Sequence, residues 1–213
     1  MKFADFRLLA MDMDSTLITI ECIDELADFA GKKNEVAAIT AAAMRGEIDW
    51  PLSLRQRVAL LRGLDESVLQ RVFDERLRLT PGAEILLHAA KQAGMVTLLV
   101  SGGFTFFTER LQARLGFDAA FANQLEIVGG KLTGKVIGEL CDAQAKARHV
   151  REAAARIGAA RNQIMVIGDG ANDLPMMAEA GVSIAFCAKP VVQAQATHAI
   201  NDAGLDAVLG LFA

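Results

Sequence analysis

The sequence has 213 residues, of which 53% are hydrophobic and 23% are charged, and its formal net charge is −4. This length can bury one core and still carry a small accessory domain, and the composition is that of a globular chain and not of a disordered one. An acidic chain without Lys/Arg-rich runs or finger-type Cys/His spacing is not expected to bind nucleic acid.

The chain has no feature that predicts a membrane segment or a disulfide framework. No apolar run approaches the roughly 20 residues that span a bilayer, so we predict no membrane contact and a soluble, cytoplasmic protein. Cys22, Cys141 and Cys187 are far apart and form no C-x-x-C pattern, which predicts buried free thiols and not zinc ligands. The oligomeric state, monomer or homodimer, stays open.

Five short apolar runs predict the strands of a sheet. Because helical patterns separate most of these runs, we expect an α/β fold with a parallel, Rossmann-like sheet. Before the second run, Thr80 and Pro81 predict a helix start, and Gly94 predicts its end. The runs lie at residues 8–13, 96–100, 119–122, 164–167 and 182–186.

Two segments depart from the alternation of strand and helix. Residues 18–78 contain apolar residues at helical spacing and no strand pattern, and glycine and proline divide them into about four helices, which predicts a small helical cap domain inserted after the first strand. Residues 124–140 alternate around Gly129 and Gly130, which predicts a β-hairpin at the sheet edge. The predicted domains are a core of residues 1–17 and 79–213 and a cap of residues 18–78.

Two acidic loops follow predicted strands. Asp12 and Asp14 come at the carboxyl end of the first strand, and residues i and i+2 of an extended segment point the same way. Asp169 and Asp173 belong to a GDGAND loop after the run 164–167, where carboxylate oxygens are the ligands that Mg²⁺ prefers. Either loop alone could be a polar turn or a helix cap, but the two together predict a metal site.

Two further elements carry weaker signals. Ser101, Gly102 and Gly103 follow a strand and precede a helix, where a hydroxyl and glycine N–H groups can cradle an anion, although an ordinary turn is an alternative. Lys146 lies near the start of a helix that Asp142 is predicted to cap, where a cation gains nothing from the helix dipole. A solvated lysine is the alternative there.

The order of these elements, a D-x-D-x-T loop, a Ser, a Lys and a G-D-G-x-N-D loop, resembles the haloacid dehalogenase superfamily. A finer pattern is similar to the branch of that superfamily that acts on phosphoserine, and it extends over essentially the whole chain. It consists of DSTL at 14–17, Glu21, SLRQRV at 53–58, SGGF at 101–104 and AFCAKP at 185–190.

The resemblance implies a Mg²⁺-dependent phosphatase that forms serine by way of a phosphoaspartyl intermediate. It implies that Asp12 is the nucleophile, that Asp14 is the general acid and base, and that Lys146 fixes the nucleophile and neutralises charge. It further implies that Mg²⁺ is held by Asp12, the backbone carbonyl of Asp14 and Asp169, with support from Asp173. Phosphoryl oxygens would be held by Ser101, Gly102 and Gly103.

By the same resemblance, the cap selects a small-molecule substrate. Glu21 would bind the ammonium group and Arg57 the carboxylate of phosphoserine. Met44 and Trp50 would wall the pocket, and Asn172 would position phosphate or substrate. The alternatives are that Glu21 caps a helix, that Arg57 is a surface residue, and that Met44 and Trp50 form the core of the insert.

Three other functions stay open from the sequence. Two keep the fold and change the reaction: transfer of the phosphoryl group from phosphoserine to another alcohol, and hydrolysis of another small phosphomonoester. The third is a non-catalytic nucleotide-binding module, which the lack of a G-x-G-x-x-G after the first strand disfavours.

Overall fold

A seven-stranded sheet forms the centre of the protein, which we describe from a computed structural model over residues 1–212. Ala213, the last residue of the predicted core domain, lies outside the described residues. The strand order is β4-β3-β2-β1-β5-β6-β7, and all neighbours are parallel except β3 and β4. The strands are β1 (Leu8–Met11), β2 (Val96–Phe104), β3 (Ala119–Val128), β4 (Lys131–Ile137), β5 (Ile164–Gly168), β6 (Val182–Phe186) and β7 (His198–Ile200).

Within residues 1–212, ten α-helices cover or extend this sheet. Four of them lie between β1 and the fifth helix, with no strand among them: α1 (Cys22–Phe29), α2 (Lys33–Met44), α3 (Trp50–Ala59) and α4 (Ser67–Arg71). The remaining helices lie before, between and after the later strands: α5 (Ala83–Gln92), α6 (Thr105–Leu115), α7 (Ala143–Ile157), α8 (Leu174–Ala178), α9 (Pro190–Gln193) and α10 (Ala207–Gly210).

The core lies on both faces of the sheet, because successive residues of a strand point to opposite faces. Leu9 and Met11 of β1 pack into one buried cluster together with the helical segment, whereas Leu8 and Ala10 pack into a second cluster with α7 and α8. Strands buried on both faces are continuous apolar runs, which is the pattern that the sequence shows. The predicted α/β fold, with its largely parallel sheet and its edge hairpin β3–β4, is confirmed.

The chain enters and leaves the helical segment through two paired linkers. Ile18 and Leu79 form an antiparallel bridge, and the backbone N–H of Thr19 donates to the carbonyl of Arg78 at 3.0 Å. The N–H of Thr80 donates to the carbonyl of Leu17 at 2.9 Å. The two ends of the segment are therefore held together beside the tip of β1.

Several local predictions are wrong in detail. Thr80 does not cap a helix, because its hydroxyl donates to the carbonyl of Thr16 at 2.7 Å and α5 begins at Ala83. Cys187 is exposed and not buried, unlike Cys22 and Cys141. The strand β7 has only three residues and has no counterpart in the predictions.

In the part of the chain that the structure covers, 1–212, helices long and apolar enough to cross a bilayer are absent.

Candidate active site

Three central strands end at the same edge of the sheet and bring the polar loops together. Asp12 follows β1, Ser101 lies within β2 three residues before this strand ends at Phe104, and Asp169 follows β5. Because β1 pairs with both β2 and β5 in parallel, their carboxyl ends are neighbours. Ligands of open α/β sheets bind at this edge.

A buried lysine lies beneath the carboxylates. The side chain of Asp142 accepts from the backbone N–H of Ala145 and starts α7, as predicted, which places Lys146 in the first turn of that helix. Its ammonium lies 2.9 Å from Oδ1 of Asp12 and 2.7 Å from Oδ1 of Asp173, and its side chain is 1% exposed. Burial opposes the charge of Lys146, but the two carboxylates outweigh it and raise the pKa of the ammonium. The alternative of a solvated lysine is therefore excluded.

Asp12 keeps one carboxylate oxygen for chemistry. Its Oδ1 accepts the Met13 N–H at 2.7 Å and also faces Lys146, whereas its Oδ2 meets no protein donor among residues 1–212. Burial and the negative charge of Asp173 raise the pKa of Asp12 well above its ordinary value, and Lys146 acts in the opposite direction. This carboxyl group lines a cavity at the edge of the sheet.

Asp14 is aimed at the same cavity by an irregular turn, Met13–Leu17. Ser15 in this turn has φ +55°, a left-handed conformation that ordinary residues rarely adopt. Oδ1 of Asp14 accepts the backbone N–H of Cys22 at 3.2 Å. Burial, reinforced by the charge of Glu21, raises the pKa of Asp14 to about 7. A carboxyl group with such a pKa can both give and take a proton near neutral pH.

The acidic cluster fits a divalent cation. Carboxylate oxygens of Asp12, Asp169 and Asp173 lie within 4.8 Å of one another. Asp169 accepts the Thr16 hydroxyl on Oδ1 at 3.0 Å, and burial, followed by the charge of Asp173, raises the pKa of Asp169 to about 7. Burial raises the pKa values of Asp12 and Asp169 in this cluster, which favours added positive charge at the site, and hard oxygen ligands suit Mg²⁺.

Asp173 is suited to supporting the ion and not to binding it directly. Its Oδ1 accepts from Lys146, and its Oδ2 accepts the backbone N–H groups of Asp169 and Gly170 at 3.1 and 3.0 Å. Asp173 is fully buried. Its carboxylate thus shapes the loop that carries Asp169.

The loop of Ser101, Gly102 and Gly103 passes closely against its neighbours. A Cβ on Gly103 would lie 2.7 Å from Oδ2 of Asp14, and one on Gly102 would lie 3.1 Å from the ring of Trp50. Side chains at these positions would fill the space in front of the aspartates. The N–H of Gly103 donates to the Ser101 hydroxyl at 2.8 Å, so this hydroxyl keeps its own proton for another acceptor.

Helix α3 contributes the opposite wall. Asp49 caps this helix by accepting the Leu52 N–H at 2.8 Å, and Trp50, Leu54 and Arg57 then fall at i, i+4 and i+7, on one face. All three line the cavity. The half-buried Arg57 has no carboxylate within 4.0 Å in the described part of the chain, and its only side-chain bond is a long one from Nε to the Ser53 carbonyl at 3.4 Å.

Glu21, at the start of α1, lines the same cavity as Arg57. It occupies the position before the helix but makes no capping bond, so the helix-cap alternative is excluded. Oε1 of Glu21 accepts the Ser15 hydroxyl at 2.6 Å. Glu21 is exposed at the mouth of the cavity, but protein surrounds its carboxyl group closely. This partial burial raises the pKa of the carboxyl group.

The cavity has a volume of about 130 Å³ and collects most of the predicted site. This is below the roughly 300–1,000 Å³ of pockets for drug-sized ligands, which favours a small ligand. Lys146 and Asp173 lie beneath its floor. The predicted residues that line it are Asp12, Asp14, Glu21, Trp50, Arg57, Ser101, Gly102, Gly103, Asp169 and Asn172.

Met44 does not line the cavity, although it was predicted to wall the pocket. It is the last residue of α2, it is 64% exposed, and its sulfur contacts the Lys189 ammonium at 3.4 Å instead of the cavity. Two residues near the site were given no role of their own from the sequence, Thr16 and Asn123. Thr16 belongs to the D-x-D-x-T pattern, which is a usable signal, whereas Asn123 lies in a strand without any motif.

Comparisons with known proteins agree with this arrangement. A family model described as haloacid dehalogenase-like hydrolase matches residues 9–178. A phosphoserine phosphatase from a Polaromonas species is 54% identical over 216 aligned positions, which cover 99% of this chain and 92% of the relative.

Two solved structures share the whole fold at a TM-score of 0.91 each. One is a phospho-aspartyl intermediate analogue of phosphoserine phosphatase, with 39% identity and coverage of 98% of this chain and 99% of the other. The second is a substrate-bound phosphoserine phosphatase complex, with 38% identity and the same coverage.

Proposed function

The chain belongs to the haloacid dehalogenase-like hydrolase family, and we propose that it is a phosphatase that hydrolyses O-phospho-L-serine to serine and phosphate. The observation that supports phosphoserine as the substrate is the pair of charged residues Glu21 and Arg57. Two opposite charges, neither neutralised by an ion pair within residues 1–212, face one small cavity above the aspartates. Such a pair is complementary to the ammonium and carboxylate of an amino acid.

A Mg²⁺ ion would be held by Asp12, by the backbone carbonyl of Asp14 and by Asp169, with Asp173 orienting the loop. When bound, the ion neutralises negative charge on the phosphoryl oxygens and polarises the phosphorus centre. The close approach of the three carboxyl groups, and the raised pKa values of Asp12 and Asp169, support this assignment.

The covalent steps fall to two aspartates. Oδ2 of Asp12 attacks phosphorus, and the bond from phosphorus to the serine oxygen breaks as Asp14 gives that oxygen a proton. Asp14, now ionised, takes a proton from water, and the resulting hydroxide attacks the phosphoaspartate and releases phosphate and the free carboxylate of Asp12. A pKa of about 7 on Asp14 suits both proton transfers.

Lys146 and the loop of Ser101 act on charge and position. The Lys146 ammonium fixes Oδ1 of Asp12 at 2.9 Å and lowers the repulsion between this carboxylate and a phosphate dianion. The free proton of the Ser101 hydroxyl and the N–H of Gly102 donate to phosphoryl oxygens, and Asn172 contacts substrate from the metal side. Positioning of this kind carries most of the catalysis of phosphoryl transfer.

Residues 18–78 form a cap over this site, and residues 1–17 and 79–213 form the core. The paired linkers at Ile18 and Leu79 support this division. Trp50 closes the pocket, which excludes water during reaction. The cytoplasmic location and the monomeric or dimeric state stay predictions.

A phosphate-release screen against small phosphomonoesters tests the function. Phosphoserine should be the preferred substrate, and chelation of Mg²⁺ should remove the activity. Chromatographic analysis with an added acceptor alcohol should find serine and inorganic phosphate and no transferred product. Preference for an ester without an amino acid moiety would contradict the proposal.

Substitution of the charged pair tests the substrate assignment directly. Arg57→Ala should raise the KM for phosphoserine by about 10–100-fold, from a charge-assisted contact worth about 1.5–3 kcal/mol, and should change the KM for phosphoethanolamine little. Arg55→Ala is the matched control, because Arg55 is an exposed residue of the same helix. Equal effects on both substrates would exclude a role for Arg57 in binding the carboxylate.

A further inference from the structure

Asn123 is a buried polar residue that connects two parts of the site and to which no role has been given above. It is 1% exposed and lies in β3, next to the phosphate-binding end of β2. Its Nδ2 donates to the carbonyls of Gly102 at 2.8 Å and Gly103 at 3.3 Å, and its Oδ1 accepts the N–H of Cys141 at 2.9 Å. The opposite amide orientation would set N–H against N–H and oxygen against two carbonyls, so the hydrogen bonds fix this one.

These bonds replace ladder pairing that the sheet loses at this point. Val100 pairs with Phe121 and Phe104 pairs with Asn123, so three residues of β2 oppose only Ala122 of β3. Such a bulge leaves backbone carbonyls without strand partners, and buried carbonyls need a donor. The amide of Asn123 supplies two.

The direction of the Gly102 carbonyl sets the direction of the Gly103 N–H and, through it, that of the Ser101 hydroxyl. In a trans peptide the C=O and the N–H point in opposite directions. The hydrogen bond from Asn123 to the Gly102 carbonyl therefore turns the N–H of Gly103 away from β3. That N–H is the group that donates to the Ser101 hydroxyl at 2.8 Å. With one lone pair of the hydroxyl taken, its proton is directed to another acceptor.

The third bond reaches the segment that carries the lysine. Cys141 directly precedes Asp142, the N-cap of α7, and Lys146 follows in the first turn of that helix. The amide of Asn123 therefore joins the loop of Ser101 to the start of the helix that holds Lys146 against Asp12.

We propose that Asn123 is a positioning residue of the reaction: its amide holds the bulged Ser101–Gly103 loop in register with α7, so that the Ser101 hydroxyl donates to the phosphoryl group while Lys146 holds the nucleophile. This inference rests on the proposed phosphatase function, because it assigns the loop to phosphate.

The test compares two substitutions with a control on the same strands. Asn123→Asp keeps the shape and the acceptor for Cys141 but removes both donors, and Asn123→Ala removes all three bonds. Asp118→Ala is the matched control: Asp118 joins the same two strands at their other end, where its Oδ2 accepts the N–H and hydroxyl of Thr97 at 2.7 and 2.9 Å.

The readouts are kcat and KM for phosphoserine with Mg²⁺, and the affinity of the wild type and each variant for inorganic phosphate by calorimetry. Both Asn123 variants should lose about 10–100-fold in kcat/KM and should bind phosphate more weakly by a similar factor, as expected for a misplacement of about 1 Å, with the loss in kcat as well as in KM. Asp118→Ala should stay within about twofold of the wild type at a temperature where all variants are folded by circular dichroism.

Values for both Asn123 variants within twofold of Asp118→Ala would overturn the proposal. If neither variant folds, Asn123→Ser decides, because its hydroxyl is polar but ends one bond short of the Asn123 Nδ2 and Oδ1 atoms and so cannot make the three bonds. Wild-type phosphate affinity and kcat in that variant would equally overturn the proposal. A wild type that binds phosphate with Mg²⁺ but does not hydrolyse phosphoserine would instead contradict the proposed substrate. The phosphate affinities of the variants would then still test the proposal for Asn123.

Discussion

Replacement of Lys146 by methionine should expose how strongly the centre of the site depends on one ammonium group. At 2.9 and 2.7 Å, each of its two ion pairs has a Coulomb energy of about 6 kcal/mol at an effective dielectric constant of about 20. Desolvation of the buried ions offsets much of this energy, so loss of one partner costs about 3–5 kcal/mol. Since domains unfold with about 5–15 kcal/mol, Lys146→Met should fold with a reduced margin.

Urea unfolding followed by circular dichroism at pH 7.5, with a chelator present, measures this cost. The double variant Lys146→Met/Asp173→Asn lacks one of the two carboxylates that the single variant leaves unpaired, so its loss should be smaller than the sum of the single losses by about 0.5–3 kcal/mol. Lys135→Met, at an exposed lysine of β4, controls for the change of residue type and should stay within about 0.5 kcal/mol. Additive losses, or a loss for Lys146→Met below 1 kcal/mol (about the size of an ordinary surface effect), would refute the electrostatic account.

Three further substitutions have distinct expected outcomes. Asp12→Asn should abolish turnover while the circular dichroism spectrum stays that of the folded wild type, and normal activity in a phosphate-release assay would exclude the covalent mechanism. Ser15→Ala, which frees Glu21 from its 2.6 Å bond, should raise the KM for phosphoserine about tenfold but leave phospholactate, which has no ammonium group, unchanged. Burial lowers the pKa of His149, whose Nδ1 is buried and has no hydrogen-bond partner among residues 1–212, and whose ring stacks on Phe121. The folded state therefore disfavours protonation of His149 and loses stability as the pH falls below about 6.5. His149→Phe should gain stability over the wild type between pH 7.5 and 5.5 in urea unfolding, and a constant difference would contradict this.

The sheet and the strand-end loops could be predicted from the sequence because their signals are local. A buried parallel strand is a continuous apolar run, and the polar residue after it lies at the carboxyl edge whatever the rest of the chain does. Asp12 and Asp169 could therefore be expected at one edge from the runs that precede them. The capping of α7 by Asp142 is local in the same sense.

The predictions failed where a distant partner decides the local structure. Thr80 and Pro81 have the sequence of a helix start, but the Thr80 hydroxyl is taken by the carbonyl of Thr16, 64 positions away. Met44 ends α2, and the orientation of this helix, which sequence spacing does not encode, turns Met44 to solvent. The role of Asn123 depends on hydrogen-bond partners 18 to 21 positions away, so the residues next to it in the sequence do not reveal that role.

The charges of the site link the proposed metal to the proposed phosphate. Five carboxyl groups, Asp12, Asp14, Glu21, Asp169 and Asp173, surround or underlie the cavity, against the two cations Lys146 and Arg57. A phosphate dianion placed among them would meet repulsion of about 4 kcal/mol per unit-charge pair at 4 Å, which hydrogen bonds from the Ser101 loop cannot balance alone. A divalent cation reverses that balance at the carboxylates nearest the phosphate. Burial, reinforced by neighbouring carboxylates, raises the pKa values of Asp14 and Asp169, and the proposed metal would supply positive charge that these carboxylates and the phosphate need together.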